Sequence, residues 1–420
     1  MANAFTRAEQ VIFDEMIEGF DDALVFGKLA RNFNPLDAEE QARSGDRFWL
    51  PAPQISASFD GFDQTANFGD LTELQVPVDI GFHKVVPQKF SSKELRVESA
   101  LRNRGTAARQ KLSSDINLAL ANTVALQGSV FVKRTGAPTG FDDVAMADAA
   151  MTEVGVNMGD RVFVAAPRVA NAMAGNLASR ATDNARDATA YEKAQISTGI
   201  AGFDVFKSDQ SIRLAAATGG ATTVNGANQY HTPVSTVTTA SGTTNVDNRY
   251  SNLTVTSANY AGIKVGDAFT IAGVNSVNMI TKQDTGQLQT FRVIGKPSAG
   301  VIQVAPAIIS AGAGGRAAAE YMNVSATPAS GAALTWLNTT TAEMNPFFVR
   351  DSLLLVPGSY AVDPQDGWQV QRARTDMGIG ITYTRQGEIN DLSVKVRWEV
   401  DFGTSFLNPQ FGGVEMFGQA

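Results

Sequence analysis

The residues that most often carry acid–base or metal chemistry are scarce here. The 420-residue chain has two histidines, His83 and His231, and no cysteine. The two histidines fall in unrelated stretches, so neither a serine–histidine–acid triad nor a histidine metal cluster can be assembled from the sequence. Without cysteine there is no thiolate zinc site and no disulfide framework. The run Gly312-Ala-Gly-Gly-Arg316 lacks the lysine and the hydroxyl residue of a phosphate loop, and reads as a flexible loop. Gly378-Ile-Gly380 is no better placed. Carboxylates are plentiful and a glycoside hydrolase needs only two, but none stands out from its neighbours. We therefore assign no catalytic residue, no cofactor site and no metal site.

What does stand out is charge laid out in blocks. Asp14, Glu15 and Glu18 share one side of an N-terminal helical pattern whose other side is Phe13, Met16, Ile17, Phe20 and Leu24. The helix is predicted to run from Arg7 to about Leu29, opened by a capping box of Thr6 and Glu9. Its acidic side is either a solvated surface or a docking face for a basic partner helix. Further on, Arg47–Pro51 and the alternating Leu74, Val76, Val78 and Ile80 predict a long hairpin, with Pro77 marking an edge or projecting strand. Its tip carries Phe59, Phe62 and Phe68 together with Asp60, Asp63 and Asp70. No lysine or arginine occurs from Phe48 to His83. Exposed phenylalanines on such a hairpin point to contact with another molecule. The reverse charge follows at once: Lys84 to Lys111 includes Arg102, Arg104 and Arg109.

These blocks need elements to hold them. Ser91 and Glu94 form a capping box that predicts a helix from Ser92, with Gly128 as its stop. Leu112, Ile116, Leu120 and Val124 give its second half a buried stripe. As one element this spine would span about 50 Å. Helices are predicted over 142–154 and 167–180, strands over 161–165 and 200–206, and a polar loop over 181–190. From about 215 to 338 the chain turns to Thr, Ser, Ala, Gly and Asn, with short strands at 252–255, 267–271, 290–294 and 301–304. That pattern reads as an inserted β-barrel or sandwich. Strong alternation over Leu392–Phe402 predicts a closing strand. The apolar fraction of 44% fits a globular chain, and a net charge of −8 argues against whole-chain nucleic-acid affinity. No apolar run is long enough to cross a bilayer, and the start has no signal-peptide pattern, so an intracellular location is expected.

Five segments stand in a telling order and spacing: Phe13-Asp-Glu-Met-Ile-Glu18, Phe48-Trp-Leu-Pro51, Ala201-Gly-Phe-Asp204, Asn245-Val-Asp-Asn-Arg-Tyr250 and Gly266-Asp-Ala-Phe-Thr-Ile-Ala-Gly-Val274. Together they resemble the major capsid protein of tailed double-stranded-DNA bacteriophages, in the short-tailed branch with an inserted β-barrel domain. The resemblance covers nearly the whole chain. The carboxy end departs from it, since Gly403 is followed by Asn408-Pro-Gln410 rather than an Arg-Pro-Glu-like group.

The resemblance implies an α+β tailed-phage capsid fold. Its parts would be an N-terminal arm (1–45), an extended loop (46–90), a peripheral domain with the spine (91–135), an axial domain (first part 136–214), the insert (215–338), and 339–420 as the second part of the axial domain with the C-terminal strands of the peripheral domain. It implies a structural, non-enzymatic subunit that forms pentamers and hexamers in an icosahedral shell in the virion, assembled in the host cytoplasm. Implied partners are a scaffolding protein, a portal protein and enclosed DNA bound without sequence specificity, with a decoration protein left open; no membrane is involved. Asp14, Glu15 and Glu18 become scaffold-contact candidates. Charge then suggests that the tip residues Phe59, Asp60, Phe62, Asp63, Phe68 and Asp70 meet Arg102, Arg104 and Arg109 of the next subunit. Two alternatives stay open: a bacterial nanocompartment shell of the same fold, and a cytosolic β-rich carboxylate-dependent hydrolase.

Overall fold

The structure, a computed structural model, describes residues 13, 15–17, 19–33, 45–56, 58–65, 68–91, 93–94, 97–180, 198–210, 212–358, 360 and 369–420. The expected helix start at 7–12, Asp14, Glu18 and the loop at 181–190 lie outside them. The chain divides into two compact units.

The first unit comprises Met1–Phe48, Val78–Ala121 and Leu353–Ser405. Its centre is a sheet in which Ser393–Phe406 pairs with Phe82–Phe90 and with Gly380–Glu388, which in turn pairs with Gln369–Arg374. The predicted closing strand is thus present and extends to Phe406. One face of this sheet is apolar: Tyr383, Val396, Trp398 and Val400 are buried. Phe13 lies against it, its ring 6.3 Å from both Trp398 and Tyr383. The N-terminal segment is not one helix. It turns at Gly19, whose φ of 70° is left-handed, then resumes as a short 3₁₀ turn (Asp21–Ala23) and a short helix (Val25–Leu29). Phe13, Met16, Phe20 and Leu24 are buried as their spacing predicts. Asn117 of the spine holds this segment: its Oδ1 accepts from Phe26 N at 3.1 Å and its Nδ2 donates to Ala23 O at 2.9 Å.

The spine helix is Glu98–Gln127, not 92–127. The capping box does form, with Ser91 N donating to Glu94 Oε2 at 2.9 Å and Glu94 N to Ser91 Oγ at 3.4 Å. It closes a separate turn ahead of the helix. Lys84 and Lys89, expected within the basic run leading into the helix, sit on the strand Phe82–Phe90. Leu112, Ile116, Leu120 and Val124 are fully buried.

The second unit comprises Trp49–Pro77, Asn122–Ser352 and Phe406–Ala420. A mixed seven-stranded sheet runs Val130–Lys133, Gly412–Met416, Ala342–Val349, Arg161–Ala165, Phe203–Lys207, Thr198–Ile200, with Ile212–Leu214 also on Ala342–Val349. Helices Phe141–Val154 and Pro167–Arg180 accompany it, and Val144, Met151 and Met173 enter the core around Phe163, Phe203 and Phe347. Residues 215–338 hold a second, antiparallel sheet: Ser251–Thr254, Val301–Ala305, Asp284–Ser298, Ala268–Val277, Leu334–Trp336. Bridges from Val224 to Val255 and from Thr223 to Ala333 link its two edges, closing a barrel. The glycine run expected to be a loop instead starts a short helix, Gly315–Tyr321, after Gly314 and Gly315 turn at φ 68° and 80°. The hairpin arms Arg47–Pro51 and Gln75–Asp79 pair as a two-stranded ribbon.

Candidate assembly surfaces

The hairpin tip is structured by its own bonds. Asp63 Oδ1 accepts from Thr65 N at 3.1 Å and from Thr65 Oγ1 at 2.6 Å, which holds the carboxyl below its ordinary pKa. Gln64 Nε2 donates to the carbonyls of Asp60 (3.0 Å) and Gly61 (2.6 Å). The tip's base is pinned to the short helix: Arg316 Nη1 donates to Gly69 O at 2.9 Å, and Tyr321 Oη to Thr72 O at 2.9 Å. The stretch 60–65 is thus bonded to itself, yet the phenylalanines around it are exposed. Phe59, Phe62 and Phe68 are all exposed, Phe62 completely so. Asp60, Asp63 and Asp70 are exposed beside them. Three large apolar rings exposed to solvent are not used in the packing of the tip itself.

The basic half of the spine is not left bare in the way its charge suggests. Arg102 meets Glu98 Oε1 at 3.0 Å and Glu15 Oε2 at 3.5 Å. Arg104 bonds Glu94 Oε1 and the Lys89 carbonyl, both at 2.8 Å, and stacks on Phe90. Arg109 Nη1 donates to Glu15 O at 3.1 Å. Glu15 therefore faces the spine of its own chain, half-buried, and its carboxylate also accepts from Thr106 Oγ1 at 3.3 Å. Of the three acidic residues read as one docking face, Glu15 is thus already engaged; Asp14 and Glu18 lie outside the described residues.

No group of three or more His, Cys, Asp or Glu among the described residues is arranged to hold a metal ion. The geometry is that of a building block: a closed barrel, a two-stranded ribbon whose tip exposes three phenylalanines, and a long helix whose arginines Arg102 and Arg104 pair within the chain. The sequence profile of the P22 coat protein (gene protein 5) matches residues 1–418. The chain belongs to that family. It is a major capsid protein of a tailed phage, with the mixed α+β capsid fold, and its place is in the shell of the virion. Solved structures similar to it include one from Mycobacterium phage Che8 (12% identity, 93% of this chain and 90% of that one, TM-score 0.44). Another is the capsid of cyanophage P-SCSP1u (10% identity, 94% and 89%, TM-score 0.45). A third is the CUS-3 coat protein I-domain (42% identity, 28% of this chain and 96% of that one, TM-score 0.23). As a capsid protein the chain self-assembles into a shell of oligomers and has a structural role.

Proposed function

We propose that this coat protein forms pentamers and hexamers around a scaffolding protein, admits a portal protein and encloses double-stranded DNA, the shell expanding as the DNA enters. Its work is mechanical and no catalytic step is part of it. A subunit of net charge −8 gives a shell to which packaged duplex does not adhere, which suits that role. Asp14 and Glu18 stay as scaffold contacts; Glu15 contributes by fixing the arm to the spine. The single observation that carries the assembly reading is the hairpin tip, in which Thr65 and Gln64 bond to their neighbours while Phe59, Phe62 and Phe68 are exposed. We read these rings as the apolar part of a contact with a neighbouring chain. Co-expression of the coat protein with its scaffold, followed by electron microscopy, tests this. The wild type should give closed shells, and Phe62→Ser should give folded subunits with few or aberrant shells. Normal shells from Phe62→Ser together with Phe68→Ser would overturn the reading.

A further inference from the structure

We propose that the barrel within 215–338 aims its own chain's hairpin, with Arg316 and Tyr321 as the positioning residues. The proposal rests on the reading that the tip meets a neighbouring chain, and it concerns what sets the tip's direction beforehand. The ladder between the hairpin arms is short. Arg47–Pro51 pairs with Gln75–Asp79, and Ala52 N donates to Leu74 O at 2.8 Å. Beyond that bond, no backbone hydrogen bond joins one arm to the other among the described residues. A lone two-stranded ribbon is marginal by itself. It cannot fix the direction of a stretch that begins where its ladder ends.

The insert supplies the missing contacts, at three points along one arm. Gln75 bridges to Asp247, and its Oε1 accepts from Asn245 Nδ2 at 2.7 Å. Thr72 O accepts from Tyr321 Oη, and Gly69 O from Arg316 Nη1, both at 2.9 Å. Each of these two donors is itself held. Arg316 Nε donates to Glu320 Oε1 at 2.7 Å, one turn along the same short helix, and Glu320 is buried. The guanidinium is therefore forked between a fixed carboxylate and the hairpin carbonyl. The Tyr321 ring is buried in a cluster with Leu74, Ala307 and Ile309, and Ile55 packs against it. Its hydroxyl also meets the backbone of Ile55, so one side chain bonds both arms. At Gly69 an added Cβ would lie 2.9 Å from Arg316 Nη1, so a side chain there would push the guanidinium off the carbonyl.

Without these bonds the stretch has room to swing. Ser56 and Ser58 on the other arm stand off from Ile280, Lys282, Ala318 and Met322 across a recess of about 490 Å³. A freed tip would sample many directions, and any contact with a neighbour would first have to remove that freedom. Latched, the hairpin offers Phe62 and Phe68 in one bearing, and the cost of ordering is met within the subunit.

The chain has no cysteine, so introduced thiols report unambiguously. Nitroxides on Ser58→Cys and Val265→Cys read the tip's direction as a distance distribution in the full-length subunit. It should be narrow with Arg316 and Tyr321 in place and broad with Arg316→Ala and Tyr321→Phe. Without labels, the same two changes should raise the subunit concentration needed for scaffold-assisted shells about tenfold, the effect of losing one or two hydrogen bonds. Arg316→Ala also strips Glu320 of its partner, so a second variant separates aim from folding. Gly69→Cys with Arg316→Cys should assemble poorly when reduced and regain wild-type assembly once a short bis-thiosulfonate joins the thiols. Failure to regain it would overturn the proposal, as would wild-type assembly by Arg316→Ala with Tyr321→Phe. Phe62→Ser with Phe68→Ser, run in parallel, shows which reading has failed. If that pair impairs shells while the latch variants do not, the latch alone falls. If that pair also gives normal shells, the tip contact falls and the latch with it.

Discussion

Glu415 lies on the strand Gly412–Met416 with its carboxyl sealed from solvent, and neither oxygen has a hydrogen-bond partner among the described residues. Burial, then the nearby carboxylate of Asp143, push its pKa up to about 9; Arg134 opposes this, but its guanidinium sits 3.9 Å from Glu415 and 2.6 Å from Asp143. The sign of the consequence follows from linkage. The folded chain keeps a proton that the unfolded chain releases near pH 4.5, so stability falls as pH rises from there and levels off only above about 9. At ~1.4 kcal/mol per pH unit, the loss by pH 7 is of the order of 3 kcal/mol. Glu415→Gln removes the proton equilibrium while keeping the shape. It should match the wild type in urea unfolding at pH 5 and be the more stable at pH 8. Equal stability of the two proteins at both pH values would refute the assignment. Residues of this kind were illegible in the sequence. Glu415 and Asp143 look like any of the 42 acids until three elements converge on them. The strand Gln369–Arg374 escaped for a related reason: Gln-Val-Gln-Arg-Ala-Arg has too little apolar contrast to declare one.

At the scale of elements, strong period was read correctly and chain direction was not. The closing strand and the helices Phe141–Val154 and Pro167–Arg180 carry regular burial patterns, and each lies within a residue or a few of its expected span. Phe82–Phe90 was missed because it pairs with a long strand far away in sequence, and its Lys84, Pro87 and Lys89 hide the alternation. The N-terminal helix was drawn too long because one glycine does not settle between a tolerated residue and a turn. Gly128 was recognised as the end of the spine, but its task differs from the expected left-handed cap. Its N–H closes on Val124 O at 2.9 Å, and the backbone of Gly412 passes so near that a Cβ would sit 2.9 Å from its carbonyl. Gly128→Ala should therefore destabilise the chain by about 1–3 kcal/mol through overpacking against backbone that cannot yield. Gly136→Ala, with nothing within 4 Å of the new carbon, should change stability by less than about 0.5 kcal/mol. Urea midpoints measured side by side check the pair. Equal midpoints for both variants would mean that the Gly412 strand moves aside.

For the molecule as a whole, the question is how independent the barrel within 215–338 is. Its core is closed on itself: Val224, Leu253, Ile263, Phe269, Ile271, Phe291, Val293, Ile302, Val304, Val324 and Leu334 form one buried cluster. Its two ends meet, with Asn338 Nδ2 donating to Ala215 O at 3.0 Å and Ala217 N to Asn338 O at 2.8 Å. One fully buried cation reaches out of it, Arg292. Arg292 Nη2 donates to the carbonyl of Ala125, one of the spine helix's unpaired terminal carbonyls, while the guanidinium lies 5.6 Å from the Phe131 ring. Burial lowers the Arg292 pKa to about 10, with Asp267 working against it. Residues 215–338 expressed alone should give dispersed amide signals and a cooperative melt. In that fragment Ala125 and Phe131 are gone and Arg292 is solvated. Arg292→Met should then cost the fragment less than about 1 kcal/mol, because an exposed cation contributes little. In the full chain the same change should cost about 2 kcal/mol, since it leaves the buried helix carbonyl of Ala125 without its donor. Equal losses in fragment and full chain would show that Arg292 serves the barrel rather than its junction with the spine. A collapsed amide spectrum from the wild-type fragment would show that the barrel needs that junction to fold at all.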